Sequence, residues 1–214
     1  MKLVIATTSA DKIREIHDLL ADVPELQVIA LSDFGPIEEP EEDGASMAGN
    51  ARIKAQYYAR HTQLPTLADD SGLEVDALDG APGVHSARWV QGSDQDRTRA
   101  LLERLHDVPD EKRGARYRCA LCLLWPQQDG ASTYIELEAS CEGRIAREER
   151  GSNGFGYDPI FELTASTGAP ELSGQTMAQV APEVKARLSH RARAVRALAA
   201  RLRQELPEAS ATST

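Results

Sequence analysis

Two adjacent carboxylates, Asp69-Asp70, follow the short apolar run Thr66–Ala68 and precede Ser71-Gly72. Carboxylates at the carboxyl end of a strand open onto the crevice of an α/β sheet, where one could hold a metal and the other could activate water. An Asx-turn explains the pair about equally well when it is read alone. Glu38-Glu39-Pro40-Glu41-Glu42-Asp43 is a second group of oxygen donors suited to hard cations, although such a run by itself is ordinarily a solvated loop. Lys54, on the helix that follows, could face either solvent or these carboxylates.

Ala6-Thr7-Thr8-Ser9-Ala10-Asp11-Lys12 joins a strand to a helix. Hydroxyls, a helix N-terminus and a lysine can bind phosphate oxygens; alone, the segment is better read as an N-cap cluster with a surface lysine. Gly154-Phe155-Gly156-Tyr157-Asp158-Pro159 interleaves glycines with aromatics, which lets a planar ring approach the backbone and stack. Its bland alternative is a turn flanking two core rings. Lys185 and Ser189-His190-Arg191 on the last helix offer several donors together. His17, His61, His85 and His106 have no partner pattern and receive no role. Neither GxxxxGK(S/T) nor GxGxxG is present.

The elements that must position these residues follow from periodicity. Lys2–Thr7 reads as a strand, and a helix with Ile13, Ile16, Leu20 and Val23 on one face follows. Leu26–Leu31 is a second strand and Gly35–Gly44 an acidic loop. A helix spans about 46–62 with Ser46 as N-cap. Thr66–Ala68 is a short strand, Gly80-Ala81-Pro82-Gly83 a turn, and 94–105 a helix. Ala115–Trp125 and Thr133–Glu142 read as strands joined by a hairpin-like turn at 126–130. Tyr157–Leu163 is a strand, and one final helix carries Val184, Leu188, Val195, Leu198 and Leu202. Mixed β-α-β order with a central hairpin implies an α/β fold with a mixed sheet. Residues 1–206 are expected to form one domain, and the small, polar tail 207–214 to be disordered.

The chain has 214 residues and a formal net charge of −10. That charge argues against non-specific nucleic-acid or anionic-membrane binding. No apolar run approaches the ~20 residues of a membrane span, and no export signal is evident, so a cytoplasmic location is expected. Of the three cysteines, Cys119 and Cys122 form a CxxC within a strand, where positions three apart face opposite sides. They read, with Cys141, as buried structural thiols.

Taken in order, these segments resemble the inosine/xanthosine triphosphate pyrophosphatase family from Ala6 to Arg191. The pieces that carry the resemblance are Ala68-Asp69-Asp70-Ser71-Gly72-Leu73, Gly80-Ala81-Pro82-Gly83 with Ser86-Ala87-Arg88, Phe155-Gly156-Tyr157-Asp158-Pro159, and Ser189-His190-Arg191. The resemblance implies hydrolysis of the non-canonical purine nucleotides ITP, dITP or XTP to the monophosphate and pyrophosphate. It also implies an elongated mixed sheet with two lobes around a deep cleft, Mg²⁺ and a homodimer. By position, Thr7, Thr8, Ser9, Ala10, Asp11 and Lys12 would contact phosphates. Glu42 and Asp70 would hold the metal, with Asp70 also the general base, and Ser71 would touch substrate. Phe155, Gly156, Tyr157 and Asp158 would hold base and sugar, and Lys185, His190 and Arg191 would read the base.

Two departures stand out. Thr8-Ser9 replaces the family's usual Gly-Asn, and Gly49 stands where a glutamate is frequent, which leaves Glu41, Glu42 and Asp69 as candidate replacements for its carboxylate. Placing a triphosphate beside Glu42 and Asp70 requires a cation, with Lys12 and Lys54 adding positive charge. Donors at His190 and Arg191 would suit a 6-oxo purine and be left unpaired by adenine. The alternatives are a house-cleaning pyrophosphatase for modified pyrimidine nucleotides and a nucleotide-binding module without turnover.

Overall fold

The computed structural model describes residues 1–126 and 132–205. The apolar strand β1 (Lys2–Ala6) feeds α1 (Ala10–Leu20), whose N-cap Ser9 accepts from the Lys12 amide at 3.4 Å. Next come β2 (Gln27–Ala30) and, after the acidic loop, α2 (Met47–Thr62). Ser46 caps α2 by accepting from the Gly49 amide at 3.1 Å, as its residue type predicts. Then follow β3 (Thr66–Val75), α3 (Asp94–Arg104), β4 (Gly114–Pro126), β5 (Ser132–Ile145), β6 (Phe161–Leu163), α4 (Pro182–Leu188) and α5 (His190–Glu205). The six strands form one mixed sheet ordered β2-β1-β3-β4-β5-β6. β1 runs parallel to β2 and β3, and the remaining pairs are antiparallel.

The long strands run from a region with a core on each face of the sheet to a separate third core, which gives the α/β fold its two lobes. Leu67 and Leu121 pack with Ile16, Leu20, Val195 and Leu198 on one face of the sheet, and Ala68 and Ala120 pack under α2 on the other. Farther along the same strands, Leu73, Val75, Tyr117 and Ile145 join a separate core with Leu101, Phe161 and Leu163. Asp69-Asp70-Ser71-Gly72 lies on β3 where one set of cores gives way to the other.

Three expectations need correction. β3 does not stop at Ala68; it continues to Val75, because β4 offers a full antiparallel ladder from Thr66↔Leu124 to Val75↔Ala115. The carboxylate pair therefore sits mid-strand. The last strand is shorter than 157–163, since Tyr157–Ile160 turns before Phe161. The single last helix is two, broken at Ser189, which adopts an extended backbone. The turn expected at 126–130, apart from Pro126, and the polar tail at 207–214 lie outside the described residues.

All three cysteines are buried free thiols. Cys119 and Cys122 belong to cores on opposite faces, as strand alternation requires. Among the described residues no helix is long and apolar enough to cross a membrane.

Candidate active site

A cleft of about 380 Å³ opens between the lobes. Gly72 lets its wall close: a Cβ there would lie 2.2 Å from the Gly83 carbonyl oxygen, so only glycine admits the Gly80–Ser86 loop against β3. Ser86 locks that loop by donating to the Gly83 carbonyl at 2.6 Å and accepting from the Leu73 amide at 2.8 Å.

Asp70 points toward α2 and into the cleft. Its Oδ1 accepts from Lys54 Nζ at 2.8 Å, and its Oδ2 accepts from Asn50 Nδ2 at 3.3 Å. Asn50 Oδ1 also accepts from the Gly44 amide at 2.9 Å, which ties the end of the acidic loop to α2. That tie brings Glu42 to Lys54 at 3.3 Å, with Arg88 on its other oxygen at 3.0 Å. Burial pushes the Asp70 carboxyl up and Lys54 draws it down; the balance leaves it above the ordinary aspartate value. Burial acts the same way on Glu42, but Lys54 and Arg88 prevail and hold it below the ordinary value. Glu42 and Asp70 thus converge on one ammonium, and that donor set also suits a hard divalent cation. Among the described residues no group of three or more His, Cys, Asp or Glu side chains is placed to hold a metal ion. The carboxylate pair would suit a hard ion that takes its other ligands from phosphate oxygens and water, as Mg²⁺ does.

Asp69 does not join this pair. Neighbours on a strand face opposite ways, and Asp69 turns toward α1 and α5. There it meets Lys12 Nζ, accepts from Arg191 Nε at 3.3 Å and from Cys119 Sγ at 3.0 Å. Its side chain is fully enclosed. Burial raises its pKa, yet Arg191 and Lys12 outweigh that and hold it well below the usual carboxylate range. Asp69 has no face open to a metal, so it does not replace the carboxylate missing at Gly49. Glu41 is exposed and lies off the cleft.

At the opposite end, Asp158 Oδ2 accepts from the Phe155 amide at 3.0 Å and from Lys185 Nζ at 2.7 Å. Gly154, at φ +78°, permits this: a Cβ there would sit 2.0 Å from the same Asp158 oxygen. Asp94 pins the Gly156 amide at 2.6 Å. The Phe155 ring lies under Lys185 Nζ at 4.3 Å and faces the Arg191 guanidinium at 5.8 Å. Tyr157 donates to the Ser86 carbonyl at 3.0 Å. His190 stacks on Tyr117 at 4.7 Å. Burial, with Arg191 beside it, drives the His190 pKa well below 6.5, so the ring is neutral. His190 Nδ1 is buried and has no hydrogen-bond partner among the described residues. An orphaned polar atom lining a cleft is a place for a ligand atom.

The cleft thus gathers Thr7, Thr8, Ser9, Lys12, Glu42, Lys54, Asp70, Ser71, Phe155, Gly156, Tyr157, Asp158, Lys185, His190 and Arg191. Ala10 and Asp11 do not line it; Asp11 faces outward and pairs with Arg14 at 3.4 Å. Gly49 is also off the lining. Sequence reasoning missed Glu15, which bridges Lys185 at 3.0 Å and Arg191 at 2.5 Å. Its position one turn beyond Lys12 was the available signal. Asn50, Asp94 and Tyr117 were missed as well, because their partners lie far away in sequence.

The sequence model of the Ham1 family matches residues 3–201. The dITP/XTP pyrophosphatase of Thioalkalivibrio sulfidiphilus is 46% identical over 204 residues, covering 94% of this chain and 98% of that protein. Its counterpart from Methylococcus capsulatus is 45% identical over 204 residues, covering 94% and 96%. Among solved structures, a HAM1 protein from Coxiella burnetii superposes with a TM-score of 0.82 at 36% identity, covering 95% of this chain and 99% of that one.

Proposed function

The chain belongs to the Ham1 family, and on that premise we propose that it hydrolyses non-canonical purine nucleoside triphosphates (ITP, dITP and XTP) to the monophosphate and pyrophosphate. One observation carries the chemistry: Asp70 faces the cleft beside Glu42, with its pKa above the ordinary value and its two oxygens braced by Lys54 and Asn50. A base whose pKa is raised toward the working pH accepts a proton more readily.

In this reading Thr7, Thr8, Ser9 and Lys12 hold the phosphate chain at the N-terminus of α1. Asp70 takes the proton of a water whose oxygen bonds to the α-phosphorus. The bond from that phosphorus to the bridging oxygen breaks, and its electron pair leaves with pyrophosphate. Glu42 and Asp70 would hold Mg²⁺, which when bound neutralises charge on the phosphate oxygens. Lys54 keeps the two carboxylates together and orients Asp70.

Phe155 offers a stacking face to the base, and Lys185 braces that face. The neutral His190 ring and the two guanidinium N–H groups of Arg191 not committed to Asp69, Glu15 or Ser71 meet the 6-oxo edge. An adenine 6-amino group would leave those donors unpaired, at a cost of about 1–3 kcal/mol or more. A homodimer is part of this reading and rests on resemblance alone; sedimentation velocity checks it.

Asp70→Asn tests the mechanism. The variant is expected to keep the wild-type circular dichroism spectrum and to release no pyrophosphate from ITP. Near-normal release by a folded variant removes Asp70 as the base.

A further inference from the structure

A chain of alternating charges runs behind the cleft from its phosphate end to its base end. It starts at Lys12 on α1 and passes to Asp69 on β3 and Arg191 on α5. From Arg191 it continues to Glu15 at 2.5 Å, to Lys185 at 3.0 Å and to Asp158 at 2.7 Å. Asp69 is its fully enclosed member, and it alone of the six touches both the phosphate-end lysine and the base-end arginine. Ser71 Oγ and Cys119 Sγ donate to the same carboxylate at 3.4 Å and 3.0 Å. Removing that charge would leave two cations without their shared counter-ion, one in each half of the site.

We propose that Asp69 is a positioning residue, which sets Lys12 for the phosphate chain and Arg191 for the base at once and thereby couples the two halves of substrate recognition. It neither ligates metal nor accepts the proton. The inference rests on the reading of the cleft given above, in which Lys12 serves phosphate and Arg191 serves the base.

The test is calorimetric titration of wild type, Asp69→Asn and Cys119→Ala, each as the full chain with Mg²⁺, using pyrophosphate, IMP and AMP as probes. Asp69→Asn is expected to weaken pyrophosphate binding at least about tenfold and to lower the IMP-over-AMP preference by a similar factor. The Mg²⁺ concentration giving half-maximal turnover should stay at the wild-type value. Cys119→Ala removes one donor and no charge, so the same two shifts are expected at about two- to fivefold. It carries the test if Asp69→Asn does not fold. A purely structural role would lower the binding-competent fraction and leave both affinities of the folded molecules unchanged, which overturns the proposal. Loss of only one of the two affinities, or a raised Mg²⁺ requirement, also overturns it. Wild type that shows no preference for IMP over AMP would count against the reading of the base end; the pyrophosphate titration would still decide whether Asp69 positions Lys12.

Discussion

Lys54 Nζ stands 2.8 Å from Asp70 Oδ1 and 3.3 Å from Glu42 Oε1, so one ammonium on α2 joins carboxylates from β3 and the acidic loop. Burial alone would raise both carboxyl groups, and Lys54 is the main counterweight in each case. Lys54→Met removes that counterweight. The acid limb of the kcat/KM profile for ITP is expected to move to higher pH, because Asp70 must then lose its proton without help from a neighbouring cation. The rate at the plateau should fall about 10²-fold. A pH–rate profile whose acid limb stays in place would show that Asp70 is not the group being titrated.

Glu42 makes a separate case. In the proposed function its carboxylate would hold the metal and take no part in proton transfer. Glu42→Gln is therefore expected to raise the Mg²⁺ concentration for half-maximal turnover about tenfold or more while leaving the rate at saturating Mg²⁺ much closer to wild type. EDTA should silence both proteins and excess Mg²⁺ restore both. Turnover that persists in EDTA contradicts the metal-assisted chemistry.

His190 links the site to stability. The folded protein keeps this ring neutral well below 6.5, whereas the unfolded chain protonates it as the pH falls through 6.5. The unfolded state then binds more protons, so stability drops with falling pH by up to about 1.4 kcal/mol per unit until the folded value is reached. Asp69 adds a loss of the same sign only below 3.8. Asp70 and Asp158 are raised above 3.8 and act oppositely in the acidic part of the range. The difference between wild type and His190→Phe isolates the histidine. Melting temperatures from pH 8 to pH 5 should fall less steeply in the variant; parallel curves would show that His190 is not held neutral.

Much of this arrangement was readable from residue order. Ser46 caps α2 because its hydroxyl can take an orphan amide, and the Cys119/Cys122 spacing told opposite faces because strand alternation is local. The segments that line the cleft were recognisable as an ordered set. What residue order hid was the direction of side chains whose partners are distant. Asp69 and Asp70 look like a matched pair until β3 is seen to extend to Val75, since only the ladder to β4 keeps that segment in strand geometry and turns the two carboxylates apart. Glu15 belonged to no recognisable motif, because Lys185 and Arg191 reach it only through the packing of α1 against the C-terminal helices. The break at Ser189 was hidden by an apolar pattern that runs across it from Val184 to Leu202.

In the proposed function this cleft cleaves 6-oxo purine triphosphates to pyrophosphate and rejects adenine. Pyrophosphate release measured side by side for ITP, dITP, XTP, GTP, ATP and a modified pyrimidine triphosphate tests it most directly. kcat/KM for ITP, dITP and XTP is expected to exceed that for ATP by at least about tenfold, the factor that one to two unpaired buried donors would give. Equal values for ITP and ATP, a preference for the pyrimidine, or orthophosphate as the product would contradict it.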